Sequence, residues 1–410
     1  MRGVINMEQI SLEYALETLL KQIQPLNTVE EKYILDSLGF VLAEDIFSPL
    51  NNPPFNRSPL DGFTLNSNDS IGATKENPVT FNVISEVFAG DFCNKKLSSK
   101  EAFRIMTGAP IPDGCNCVIK QEDVVFNEET KALYITKELK PFENFCFLGE
   151  DLKVNDLVVK KGEIITYNHI GVFASLGINT IKVLKKPKVG VLSLGSELTM
   201  PGKTLEKGKI YNSNLFTLIS KLKYLGVEGV MYPPMSDDST LVSNFISKEL
   251  KNIDLLITTG GVSVGKKDIM HDVIKELNAN RLFWKINIQP GTPVLASEKD
   301  GKLILSLSGN PFASLVNFEL LGRPILSKLS SNSIKNTSIV EAEVKGGFNK
   351  KSSKRRFIRG YFKEGYIYLN DQKHSSGTIS SLIGKNAIVE ISPGTPCLNE
   401  GDKVTVILID

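Results

Sequence analysis

LLITTGGVSVGKKD, residues Leu255 to Asp268, is the stretch on which the fold turns. Three apolar residues and two threonines run into a glycine pair, then a third glycine at 265, two lysines and an aspartate. A short apolar run bounded by glycine fits a strand buried on both faces. The segment that follows, KKDIMHDVIKELN, has helical spacing, so the glycines mark a strand-to-helix turn. Backbone N–H groups at such a turn can approach an anion, and the next helix adds the positive end of its dipole. The spacing has neither the GK[ST] of a Walker loop nor G-x-G-x-x-G. Two readings therefore stand for Gly260, Gly261, Ser263 and Gly265: a phosphate cradle, or a tight turn alone.

The same alternation extends to both sides. KVGVLSLG reads as a strand, and SNLFTLISKLKYLG as a helix capped by Ser213 or Asn214 and stopped by Gly226. VEGVMYPPM and SDDSTLVSNFISKELKN repeat the pair; RLFWKINIQPG, TPVLAS and KLILSLSG supply further strands, and NPFASLVNFELLGRPILSKLS a long closing helix. Buried strands alternating with helices imply βαβ units, a parallel sheet and a doubly wound α/β domain. Such sheets bind ligands beyond the carboxyl ends of their strands. Three of those ends carry glycine: SLGSE with Glu197, TTGGVSVG, and SLSGNP with Gly309 and Pro311. Asp268 either favours the helix N-terminus or, beside a phosphate, needs a cation such as Mg²⁺ between the two charges. Asp237 and Asp238 could share that crevice, though capping the next helix explains one of them equally well.

Elsewhere the pattern changes. Residues 8–24 carry Leu12, Leu16, Leu19, Leu20 and Ile23 on one helical face. Residues 53–149 are short strand-like runs with proline and glycine, a small β domain. It contains two proline-stiffened loops, PPFNRSPLDGF with Asp61 and MTGAPIPDG with Thr107, each of which could be a plain β-turn. The β domain interrupts an N-terminal domain of residues 1–52 plus 150–185; residues 186–332 form the α/β domain and 333–410 a terminal β module.

The chain has 48 Lys+Arg against 46 Asp+Glu, a balance that gives no reason to expect nucleic acid as a partner. No run of about 18 apolar residues reads as a membrane span, and acidic residues interrupt the N-terminal segment where a signal peptide would be apolar. Five scattered cysteines are no disulfide framework, and CNC at Cys115–Cys117 lacks the second ligand pair of a zinc site. A cytoplasmic protein is expected.

Eight ordered motifs, PPFNRSPLDGF, MTGAPIPDG, GEDLKVND, LGSEL, GKIYNSN, TTGGVSVGKKD, FWKINIQPGTP and LSGNPFAS, resemble the molybdopterin molybdenumtransferases, the MoeA and gephyrin E-domain family. The resemblance spans essentially the whole chain. It implies a multidomain α/β and β fold with a central molybdopterin-binding domain, an inserted β domain and a C-terminal β module. It also implies a homodimer whose cleft is shared between subunits. The implied reaction inserts molybdate into adenylylated molybdopterin and releases AMP, with Mg²⁺ or a similar divalent ion. On this resemblance Gly260, Gly261, Ser263 and Gly265 cradle the pterin-linked phosphate, Glu197 and Asp268 hold the metal with Asp237 or Asp238 nearby, and Gly309 and Pro311 shape the pocket. Asp61 and Thr107 match catalytic positions of the β domain.

The oxyanion site departs from the family pattern. KINIQPGTP places Gln289 and Thr292 where lysines often sit, removing two positive charges, although Lys285 remains. KSSKRRFIRG offers Lys354, Arg355 and Arg359 near the family's basic position, and KHSSG offers Ser375 and Ser376; a solvated basic loop explains KKSSKRR equally well. Two alternatives remain: a molybdopterin adenylyltransferase, which would not need the residues before Lys188, and a binding scaffold of the same fold.

Overall fold

A computed structural model describes residues 9–263, 269–351, 353–369 and 374–409. One compact unit is built from the described residues up to Glu31, from Gly39–Ala43 and from those from Lys182 onward. The other comprises Lys32–Leu38 and Glu44–Ile181.

In the first unit, Leu255–Thr259 is a strand with all five residues buried. Leu255 and Ile257 enter one core cluster and Leu256 the other, so each face of the strand meets helices and a continuous apolar run is required. Glu228–Met231, Lys188–Ser193, Leu255–Thr259 and Lys302–Leu307 lie side by side and parallel in that order. The expectation of a parallel sheet needs one refinement. Leu295–Lys299 runs antiparallel to Lys302–Leu307 because Asp300 and Gly301 close a hairpin between them, and Asn280–Trp284 completes the edge. Leu215, Leu218 and Leu222 of the helix Ser213–Tyr224 pack on one face; Val242 and Ile246 of Ser239–Glu249, with Met270 and Val273 of Met270–Glu276, pack on the other. The cap of the first of these helices is Asn212, whose side chain accepts from Leu215 N–H, not Ser213 or Asn214. Leu12, Ala15, Leu19 and Ile23, from the amphipathic segment near the N-terminus, also pack into this central core.

The C-terminal strands form a small closed barrel. Arg355–Lys363, Tyr366–Tyr368, Ser338–Lys345, Lys403–Leu408 and Ala387–Ile391 follow one another, and the last pairs back with the first. Ile288–Gln289, arriving from the α/β domain, adds parallel to the start of Arg355–Lys363 and sets Gln289 opposite Arg356.

The second unit holds a six-stranded sheet in the order Cys117–Lys120, Gly62–Leu65, Glu101–Ile105, Val79–Val87, Ala132–Ile135 and Val125–Asn127. Gly62 has no substitute there, because a Cβ would stand 1.9 Å from the Ile119 carbonyl oxygen on the neighbouring strand. Cys117 is buried in this core, and burial pushes the Cys115 and Cys117 thiols up to about 12, so neither is a ready thiolate ligand.

Ile257 is fully buried in the middle of the central sheet, so Ile257→Ala should cost about 2–5 kcal/mol. Trp284, the single tryptophan, lies in the edge strand of the same sheet and reports its unfolding by fluorescence. An unchanged urea midpoint would contradict this placement of the core.

Candidate functional site

Gly260 leaves the central strand at φ 86°, and its N–H donates to Leu307 O across the sheet. A Cβ there would lie 2.4 Å from Leu194 O, while Gly309 approaches from the other side, its own virtual Cβ 3.6 Å from Gly260 Cα. The three glycine-bearing strand ends are thus pressed together, backbone against backbone. Above them is a cavity of about 280 Å³ lined by Leu194, Gly195, Glu197, Asp237, Gly260, Gly261, Val262, Ser263, Pro293, Ser308 and Gly309. Of the residues singled out in the sequence, it gathers Glu197, Asp237, Gly260, Gly261, Ser263 and Gly309. Gly265 and Asp268 lie outside the described residues.

The two neighbouring aspartates separate. Asp237 lines the cavity, and its Oδ2 accepts from Ser196 N–H at 3.4 Å. Asp238 does not line it; it caps the helix Ser239–Glu249, accepting from Leu241 N–H at 3.0 Å. Pro311 opens the helix Pro311–Asn317 and does not line the cavity either. Two groups missed in the sequence hold the walls. Trp284 Nε1–H donates to Val262 O at 3.0 Å, fixing the glycine loop, and Asn214 Nδ2 donates to Gly309 O at 2.7 Å, fixing the SGNP turn. The quoted motif GKIYNSN contained Asn214, but a long-range amide contact leaves no local signal.

A second cavity, of about 540 Å³, lies on the barrel side of the same unit. Its walls include Gln289, Lys350, Arg356, His374, Ser375, Ser376 and Thr378. Phe312 N–H donates to Ser376 O at 3.0 Å, so the turn that carries Gly309 also braces the serine segment. Three expected charges are placed otherwise. Arg359 is 1% exposed and gives its guanidinium to Ser375 O and Thr378 O over the Phe312 ring, so it positions the serine turn. Lys354 Nζ bonds Gln9 Oε1 at 2.8 Å and Thr292 Oγ1 at 3.4 Å, outside the lining. Lys285 lies over the Trp284 ring, 3.9 Å from its centre, and lines neither cavity. Arg356, not singled out beforehand, is the arginine in the wall.

In the other unit, the loops of Asp61 and Thr107 meet directly. Asp61 Oδ1 accepts both Thr107 N–H and Thr107 Oγ1–H at 2.7 Å, and these bonds hold the carboxyl below its ordinary range. Ser58 and Ala109 extend the contact, with Ser58 N–H donating to Ala109 O at 3.0 Å. Thr107 lines a cavity of about 590 Å³ with Arg57, Ser58, Cys146 and Glu150, where the Cys146 thiol donates to Glu150 Oε1 at 2.6 Å.

Over 404 residues, 98% of this chain and 96% of the relative, the sequence is 36% identical to a molybdopterin molybdenumtransferase of Staphylococcus epidermidis. The chain belongs to the molybdopterin molybdenumtransferase (MoeA) family. A Staphylococcus aureus protein of the same name is 35% identical over 377 residues, 91% of this chain and 90% of the relative. Family models agree along the chain: the MoeA N-terminal region (domain I and II) matches residues 10–177, the probable molybdopterin binding domain 190–328, and the MoeA C-terminal region (domain IV) 341–409. The fold matches the crystal structure of a molybdopterin biosynthesis MoeA protein from Pyrococcus horikosii at a TM-score of 0.85 and 32% identity, over 98% of this chain and 100% of that one. The fold is therefore multidomain, with a central α/β domain, an inserted β domain and a C-terminal β module.

The Asp61–Thr107 contact gives a pH test. Asp61's pKa is depressed in the fold, so any stabilisation from the contact is present above its ordinary value of 3.8 and is lost as pH falls through the lower folded value. Thr107→Val removes one of the two donors and should raise the Asp61 carboxyl pKa, read by side-chain carbon NMR. An unmoved titration would show that the hydroxyl bond is not made in solution.

Proposed function

We propose that this MoeA-family protein is a molybdopterin molybdenumtransferase that takes adenylylated molybdopterin and molybdate and releases AMP. One observation carries the reading: the small cavity where three strand ends converge, lined by Gly260, Gly261, Ser263 and Gly309 together with Glu197 and Asp237. The glycines let a phosphate come close to backbone N–H groups, with few side chains in the way. Two carboxylates at the same place would repel a phosphate, and that conflict asks for a cation. Mg²⁺ is commonly held by one or two carboxylates plus substrate phosphates, so Glu197 and Asp237 fit it; Asp268, the other carboxylate expected there, lies outside the described residues. When bound, the ion neutralises charge on the phosphoanhydride oxygens.

The chain's own groups do the rest. Ser263 offers a hydroxyl donor, the glycine turn orients the phosphate, and Trp284 and Asn214 keep the two turns in place. Molybdate, a tetrahedral dianion, belongs in the barrel-side cavity, whose hydroxyl and cationic walls suit an oxyanion. The reading carries with it a cytoplasmic homodimer, in which the partner subunit's Asp61 and Thr107 complete the cleft. It also keeps the four-domain division at residues 53, 150, 186 and 333. No described helix is long and apolar enough to cross a membrane.

Purified protein with Mg²⁺ and adenylylated molybdopterin should release AMP when molybdate is added and not before. Glu197→Gln should slow that release on the order of 100-fold, because it weakens the hold on the cation that would offset the developing charge. No release with molybdate or tungstate, despite tight binding of the nucleotide, would replace the transferase by a scaffold.

A further inference from the structure

The barrel-side cavity contains a positive charge that no carboxylate among the described residues answers. Two of the three arginines in KRRFIRG have clear structural partners. Arg355 lies between the carboxylates of Glu13 and Glu390, and Arg359 spends its guanidinium on the carbonyls of Ser375 and Thr378. Arg356 is 7% exposed, yet its partners are neutral: Gln289 Oε1 at 3.0 Å, Lys351 O at 3.5 Å, the limit of a hydrogen bond, and the Phe348 ring, whose centre is 5.5 Å from the guanidinium carbon. Its Nε has no partner, and among the described residues no carboxylate pairs with it. Burial holds its pKa below the ordinary arginine value, with no acid opposing the shift. A buried guanidinium left in that state is costly unless a bound anion compensates it.

The surroundings specify the anion. Beside Arg356 the cavity wall presents Ser375, Ser376, Thr378 and Lys350, hydroxyl and ammonium donors, and no carboxylate among the described lining residues. That donor set suits a small tetrahedral oxyanion. We propose that Arg356 is the cation that binds the oxyanion substrate, and that Gln289 is its positioning residue. Parallel pairing sets Gln289 opposite Arg356, and the Gln289 side-chain oxygen accepts from Nη2. The charge absent at Gln289 is thereby supplied from the neighbouring strand. The identification of the oxyanion as molybdate rests on the transferase reading; the anion site itself does not.

The test is equilibrium dialysis of molybdate against the full chain, paired with AMP release as a function of molybdate. Arg356→Gln should raise the half-saturating molybdate at least about tenfold in both measurements, since it removes a charge-assisted fork. Arg356→Lys keeps the charge without the fork and should weaken binding by about threefold or more; it decides the matter if Arg356→Gln does not fold by Trp284 fluorescence. Wild-type affinity in the folded Arg356→Gln protein, or in Arg356→Lys if only that variant folds, overturns the assignment, as does a wild-type protein that binds no molybdate. Molybdate-dependent AMP release that is identical in Arg356→Gln would sink the inference and leave the transferase standing. Dialysis binding lost in Arg356→Gln, with no molybdate-dependent AMP release from wild type, would support the anion site and sink the transferase.

Discussion

The backbone at Gly260 is held between two neighbouring strand ends, and the rest of the site depends on that contact. Leu194 O leaves no room for a Cβ, and the Gly260 N–H is tied to Leu307 O. Close packing there explains why the central strand must end in glycine even before any ligand is considered. It also brings Glu197, Asp237, Ser263 and Gly309 around one small cavity, because each follows a strand fixed by the same register. The tight turn and the proposed anion cradle make the same demand: the missing side chain that permits the packing also bares the backbone.

The two cavities of this unit differ in charge. The strand-end cavity has carboxylates in its wall, so a phosphate there calls for a cation. The barrel-side cavity has Arg356, Lys350 and hydroxyls, so a small oxyanion there needs no cation. The turn from Ser308 to Phe312 joins them: Gly309 lines the first, and Phe312 N–H holds Ser376 of the second. A carboxylate-bearing cavity and a cationic one joined by this turn are what the proposed reaction asks for, since it spends a phosphoanhydride while loading an oxyanion.

Much of the α/β domain was legible because its strands are apolar on both faces, as Leu255, Leu256 and Ile257 show by facing alternate clusters. Convergence of the three strand ends followed from the same topology. What the sequence hid was set by contacts between distant residues. Asn212 caps a helix ahead of the two better-looking candidates, and Asp238 is spent on capping while its neighbour lines the cavity. In the strand Arg355–Lys363 the residues Arg356 through Gly360 are all buried, so no alternation told which arginine faces which neighbour. Only the pairing of Ile288–Gln289 with its start singles out Arg356.

The measurement that bears most directly on this account is hydrogen–deuterium exchange of the full chain with and without adenylylated molybdopterin. Binding at the convergent strand ends predicts slowed exchange confined in this unit to Leu194–Glu197, Gly260–Ser263 and Ser308–Gly309, the three segments that line the cavity from those ends. Slowed exchange elsewhere in the unit, with those three segments unchanged, would contradict it.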